Sequence, residues 1–315
     1  MKINQRFLLS ICLSLFFVLT GCSQETKKEI VKGNGTRDNT PIILEPEASG
    51  EVTFGNDKIT FDISHASEGY VMVKYTGDNP KVKVRILNPN GDDPYTYNVL
   101  DGYNVYPLTG GNGEYIFTAF ENVSGSEYTQ LFYDAQNIEI KNDYTPYLYP
   151  NQYVNYDKNT KAIKMGQKIA EGADDDLDVV TYIYDYVINN ITYDYDKASD
   201  VKTGNLSNYL PDVDEILEKK TGICFDYAAV MATMLRTQNI PTRMMIGYVT
   251  IDGNSIYHAW IGVYIHDIGW IDDFIEFDGE NWSMLDPTLI SDSQNNSKIK
   301  EFIKNHDNYM TKYLY

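Results

Sequence analysis

Three residues in the C-terminal half have the types and settings that nucleophilic catalysis uses. Cys224 opens a segment, Phe225 to Gln238, that is apolar nearly all round, and Gly222 stands just before it. A thiol at the N-terminus of a buried helix faces unpaired backbone N–H groups, which favour thiolate and can hold an oxyanion. His258 lies in the run Tyr257-His258-Ala259-Trp260, where alternation puts His258, Trp260 and Gly262 on one face of a strand. Asp286 ends the run Trp282–Leu285 and precedes Pro287, a position from which a carboxylate can orient an imidazole on a neighbouring strand. Taken singly, each has a plainer role: an inert core thiol, a satisfied half-buried histidine, a turn former. Together, in the order Cys, His, Asp, they supply every role for acyl transfer through a thioester.

Other chemistries lack their residues. There is no His-Glu-x-x-His motif or paired-cysteine spacing, so neither a metal nor a cofactor is expected. Asp174, Asp175 and Asp176 stand at the start of a helical pattern and lack the glycine and spaced ligands of a calcium loop, so they are expected to cap that helix. The glycines around Gly110-Gly111-Asn112-Gly113 precede no helix and predict a hairpin turn rather than a phosphate loop. His65 has no evident partner, and His266 and His306 fall in surface-like settings.

The elements that must position these groups follow from periodicity. Short strands are predicted at Lys58–Asp62, Tyr70–Tyr75, Lys81–Leu87, Tyr95–Leu100, Glu114–Phe120 and Thr129–Tyr133, separated by strong turn residues. That spacing, with 27 tyrosines against 12 phenylalanines, predicts an all-β sandwich-like region. Helical stripes follow. One runs through Ala162, Met165, Ile169 and Ala170, and a stronger one from Leu177 to Ile188. Asp212–Lys219 predicts a short helix, and the buried helix from Cys224 ends at Asn239 and Pro241. The period then changes to two, with strands at Arg243–Ile251, Tyr257–Tyr264, Trp270–Glu276 and Trp282–Leu285.

The N-terminus carries Lys2 and Arg6 ahead of an apolar run from Phe7 to Leu19, about 20 Å as a helix and too short for a span of about 30 Å. It predicts a signal peptide. Leu19-Thr20-Gly21-Cys22 resembles a bacterial lipobox, which implies lipidation of Cys22. Cys12 would leave with the signal, so Cys224 would be the lone thiol of the exported chain, with no intrachain disulfide. The formal charge is −19, and −21 without residues 1–21, which disfavours nucleic acid as a partner.

Gly222-Ile223-Cys224-Phe225-Asp226-Tyr227-Ala228, Leu235-Arg236, Ile240-Pro241-Thr242-Arg243, Gly247-Tyr248, His258-Ala259-Trp260 and Leu285-Asp286-Pro287-Thr288 together resemble the transglutaminase-like superfamily of papain-related thiol enzymes. The likeness covers roughly residues 160–290. It implies a Cys224–His258–Asp286 triad, with the thiol on a helix packed against an antiparallel sheet. An upstream aromatic or amide side chain assists the oxyanion in relatives, which makes Tyr193 the candidate here. Asn239 stands where the family often has glycine, and asparagine tolerates the left-handed conformation a helix end needs.

The expected class is therefore α+β, a transglutaminase-like core preceded by an all-β sandwich-like domain. The expected divisions are a signal peptide at 1–21, a flexible tether at 22–49, the β domain at 50–141, a linker at 142–160 and the catalytic domain at 161–315. The function expected is that of a cell-surface lipoprotein, tethered through Cys22 to the outer face of a bacterial membrane. It would act as a cysteine peptidase, amidase or transglutaminase on protein or peptide substrates, cell-wall material among them. The rival expectation is a binding or adhesion protein that keeps the transglutaminase-like domain as a scaffold.

Overall fold

The computed structural model describes residues 32–315, except residues 90, 92, 207, 252–253, 267, 278–281 and 285–308. The first half is a pair of four-stranded antiparallel sheets. One is built from β1 (Thr53–Gly55), β2 (Ile59–Asp62), β3 (Tyr70–Tyr75) and β6 (Tyr103–Pro107), in that spatial order. The other has the order β5 (Tyr95–Asn98), β4 (Val82–Leu87), β7 (Gly113–Ser124), β8 (Glu127–Ile138). Alternation drives the layering. Val82, Val84 and Ile86 of β4 are buried, as are Tyr115, Phe117 and Ala119 of β7, while residues between them turn outward. Phe54, Phe61, Phe117 and Phe132 close the centre with ring centroids 5.0–6.0 Å apart. Each sandwich strand predicted from sequence is present; β1 and β6 were not predicted.

The second half begins with α1 (Lys161–Ala170) and α2 (Asp176–Asn190). Asp175 caps α2 by accepting the Asp178 N–H, as its acidic start predicts. A two-residue strand, β9 (Thr192–Tyr193), leads into α3 (Tyr195–Thr203) and α4 (Val213–Lys219), and then β10 (Thr221–Gly222) pairs with β9 in parallel. The central helix α5 (Cys224–Thr237) packs against α1, α2 and α4 on one side and against a sheet on the other. This explains its apolar character all round. α1 comes close because Gly166 lies against Met234, where a Cβ would meet that side chain at 3.1 Å. Asn239 ends the helix at φ 59°, the left-handed conformation expected of it.

The sheet order is β14 (Trp282–Met284), β13 (Gly269–Phe277), β12 (Asn254–Ile265), β11 (Thr242–Ile251), β15 (Tyr309–Leu314), all antiparallel. β15 was not predicted. It covers the edge of β11 with a bulge at Ile246/Gly247. Among the described residues, no helix is long and apolar enough to cross a membrane.

Two expected connections are packed structure instead. Residues 32–49, the described part of the expected tether, form a strap along the helices. Asp174 accepts the Asn34 and Thr36 N–H groups, Asn39 donates to the Ala170 carbonyl, and Ile42 N–H donates to the Thr237 carbonyl. Arg37 reaches the Gln238 carbonyl at 2.6 Å and Asp176 at 2.7 Å. Polar side chains fix this strap, so it shows no hydrophobic period. Residues 142–160, expected as a linker, bury Tyr147, Asn151, Val154 and Tyr156, and Tyr149 accepts a hydrogen bond from Arg236. Residues 32–315 thus make one unit. The two halves meet in a tyrosine seam, with Tyr95 and Tyr97 of the sandwich against Tyr153, Tyr313 and Tyr315 at centroid distances of 5.1–6.2 Å.

Candidate active site

The site is assembled where α5 starts. β9 and β10 bring residues 192–194 beside residues 220–222, through Thr192 N–H to the Lys220 carbonyl and Asp194 N–H to the Gly222 carbonyl. Gly222 is required there, because a Cβ would lie 2.7 Å from the Cβ of Asp226. Ile223 is the N-cap in extended conformation and offers no side-chain acceptor. The Asp226 N–H turns back to the Ile223 carbonyl at 2.9 Å, and the N–H groups of Cys224 and Phe225 remain for other partners.

The groups nearest to them are the candidate reacting groups. The backbone N–H groups of Ala259, the residue after His258, and of Phe225 lie near enough to the Cys224 sulfur to favour its anion. The thiol on α5 thus rests directly on the histidine-bearing stretch of β12. The Tyr193 hydroxyl lies near the Cys224 N–H, which favours a negative charge on it. Cys224, the His258–Ala259 stretch and Tyr193 are brought together. Asp286 lies outside the described residues, as do Cys22 and His306.

His258 pairs in register with Gly247 on β11, is buried to 7% exposure, and lies parallel to Trp260 with centroids 6.1 Å apart. Burial lowers its pKa to about 4. Cys224 keeps part of its surface open to solvent, yet its dense surroundings raise the thiol to about 11, overriding the Ala259 and Phe225 N–H groups that favour the anion. This corrects the expectation of a thiolate favoured by the helix N-terminus. The amides are in place, but desolvation outweighs them, so the resting pair is neutral. Burial likewise raises the Tyr193 phenol, keeping its proton available for donation.

Sequence reasoning missed a polar cluster beside the thiol. Asp226, fully buried, accepts the Ile223 N–H at 2.8 Å, Lys197 Nζ at 2.6 Å and the Tyr209 hydroxyl at 2.6 Å. An aspartate in the otherwise apolar first turns of α5 was the available signal; nothing in sequence linked Lys197 or Tyr209 to it. Among the described residues, no group of three or more His, Cys, Asp or Glu could hold a metal. The described cavities lie away from the thiol. One, of about 320 Å³, opens between the sandwich and the second half beside Leu100, Tyr103, Gln152 and Leu210. The position of Cys224 at the start of α5 against β12, rather than cavity size, marks the candidate site.

The YebA protein of Bacillus subtilis, itself uncharacterised, is 26% identical over 156 residues, 44% of this chain. The chain spans only 20% of that protein's length. The UPF0252 protein MJ1282 of Methanocaldococcus jannaschii is 24% identical over 246 residues, 74% of this chain and 68% of its own length. A solved structure of a candidate cysteine protease from Cytophaga hutchinsonii aligns over 70% of this chain and 78% of its own, at 16% identity and a TM-score of 0.32. The model of the transglutaminase-like superfamily matches residues 163–272, from α1 into β13, and this part of the chain is a transglutaminase-like domain.

Proposed function

We propose that the protein is a thiol-dependent acyl-transfer enzyme acting on peptide or amide substrates. The observation that carries this reading is Cys224 at the start of α5, packed against the strand that bears His258, with the Ala259 N–H near its sulfur. The sulfur attacks a carbonyl carbon and forms the S–C bond as its proton passes to the imidazole. With the resting pair neutral, that transfer accompanies attack rather than preceding it. The oxyanion is met by the Cys224 N–H and the Tyr193 hydroxyl, which lie near each other in the free site. The C–N bond then breaks, the imidazolium proton leaves with the amine, and water resolves the thioester. Asp286 serves as acceptor for the second imidazole N–H. We favour hydrolysis over cross-linking, since water alone resolves the thioester, whereas cross-linking needs an acceptor-amine site and none is recognisable among the described residues.

The wider setting belongs to the same proposal: an exported lipoprotein held at a bacterial membrane surface by Cys22, acting on proteins or peptides of the cell envelope. One observation favours a second reading, a binding protein on a catalytically silent scaffold: burial disfavours the charged forms of both thiol and imidazole. Incubation with a glutamine-bearing peptide and a labelled primary amine separates the readings. Ammonia release without label incorporation supports hydrolysis, and label incorporation supports cross-linking. Turnover that is absent, or unchanged in Cys224→Ala, ends the enzymatic reading.

A further inference from the structure

We propose that Lys197 is a positioning residue for the nucleophile: its ammonium neutralises the Asp226 carboxylate, so that negative charge can develop on the Cys224 sulfur. This rests on the thiol chemistry proposed above. Asp226 stands two residues along α5 from Cys224, and its side chain is wholly shielded from solvent. It has a local task, since it accepts the Ile223 N–H and packs against Gly222, which fixes the entry into the helix. Its charge nonetheless opposes an anion on the sulfur.

A buried carboxylate needs a compensating charge, and a uniquely placed cation supplies it. Among the described residues, Lys197 is the cation paired with Asp226, at 2.6 Å. The same Nζ sits 4.0 Å from the centre of the Tyr209 ring, while the Tyr209 hydroxyl donates to the other carboxylate oxygen. The trio carries no net charge. Asp212 and Glu215 at the start of α4 act on Tyr209, and Tyr193 and the His258 strand face the sulfur from the other sides. α3, which carries Lys197, buries no residue of its own.

Alkylation of the full chain by iodoacetamide reads the sulfur without requiring turnover. Lys197→Met leaves a net negative charge next to the thiol, and the alkylation rate should fall about tenfold at each pH from 7 to 10. Lys197→Arg should restore it. Lys197→Met combined with Asp226→Asn removes both charges and should return the rate to within about threefold of wild type. Asp226→Asn alone leaves an unopposed ammonium and should alkylate several-fold faster, which carries the test even where Lys197→Met does not fold. A Lys197→Met rate equal to wild type, a double variant as slow as Lys197→Met, or a slower Asp226→Asn overturns the proposal. An absence of turnover alongside the expected alkylation pattern counts against the enzymatic reading and leaves the charge coupling standing.

Discussion

Burial sets both reacting groups against ionisation, and the size of that effect predicts how the thiol titrates. The imidazole is held at about 4 and the thiol at about 11, about seven pH units apart. Moving the proton from sulfur to ring in the free site therefore costs about 10 kcal/mol. Attraction within a contact ion pair returns about 4 kcal/mol at an effective dielectric near 20. The ion pair is left some kilocalories uphill, below about one molecule in a thousand. Alkylation by iodoacetamide should accordingly rise about tenfold per pH unit from pH 6 to 9, with no low-pH plateau. A plateau below pH 7 would mean a resting ion pair and would refute this account. Stability gives a second readout. The folded state holds His258 below its ordinary value of 6.5, so the unfolded chain takes up the proton first as the pH falls. The neutral imidazole's contribution is therefore complete above pH 6.5 and is lost between 6.5 and about 4. In urea unfolding, wild type should lose about 3 kcal/mol more than His258→Gln over that interval.

Further outcomes follow from other contacts. Arg236, 1% exposed, donates to the carbonyls of Thr242, Tyr149 and Tyr315 and so ties α5 to β11, to the 142–160 segment and to the end of β15. Arg236→Met should cost about 3–5 kcal/mol in denaturant unfolding, and a loss under about 1 kcal/mol would show those carbonyls find other donors. Arg37→Ala should free the strap, raising amide exchange across residues 32–43 and costing about 1–3 kcal/mol; unchanged exchange would place the anchoring elsewhere. Asp286→Ala should lower turnover less than Cys224→Ala or His258→Ala does, and equal loss in all three would give the aspartate a larger part than orientation.

What could be read from the sequence was whatever is written in local periodicity. α5 announced itself because every face meets an apolar neighbour, and β11 and β12 because their alternation is regular. Cys224 and His258 were visible as polar exceptions in those patterns, and the packing of α5 against β12 brings the two stretches together. β15 was not visible, because its place is fixed by pairing with β11, sixty residues earlier in the chain, rather than by its own pattern. The strap and the 142–160 segment were misjudged for a related reason. Asparagine, proline and tyrosine make the same turns in a solvated linker as in a packed one, and only the partners distinguish them. The thiol's ionisation was misjudged because a helix terminus is evident from sequence, whereas the depth of its burial is not.

The strap bears on how far the proposed enzyme can roam. With Lys32 already bonded to the carbonyls of Ile169 and Glu171, a lipid on Cys22 would leave ten residue steps of leash, at most about 36 Å when fully drawn out. A leash running to residue 49 would have allowed almost three times that. The domain would patrol a thin shell over the bilayer, and material farther out would have to come down to meet it.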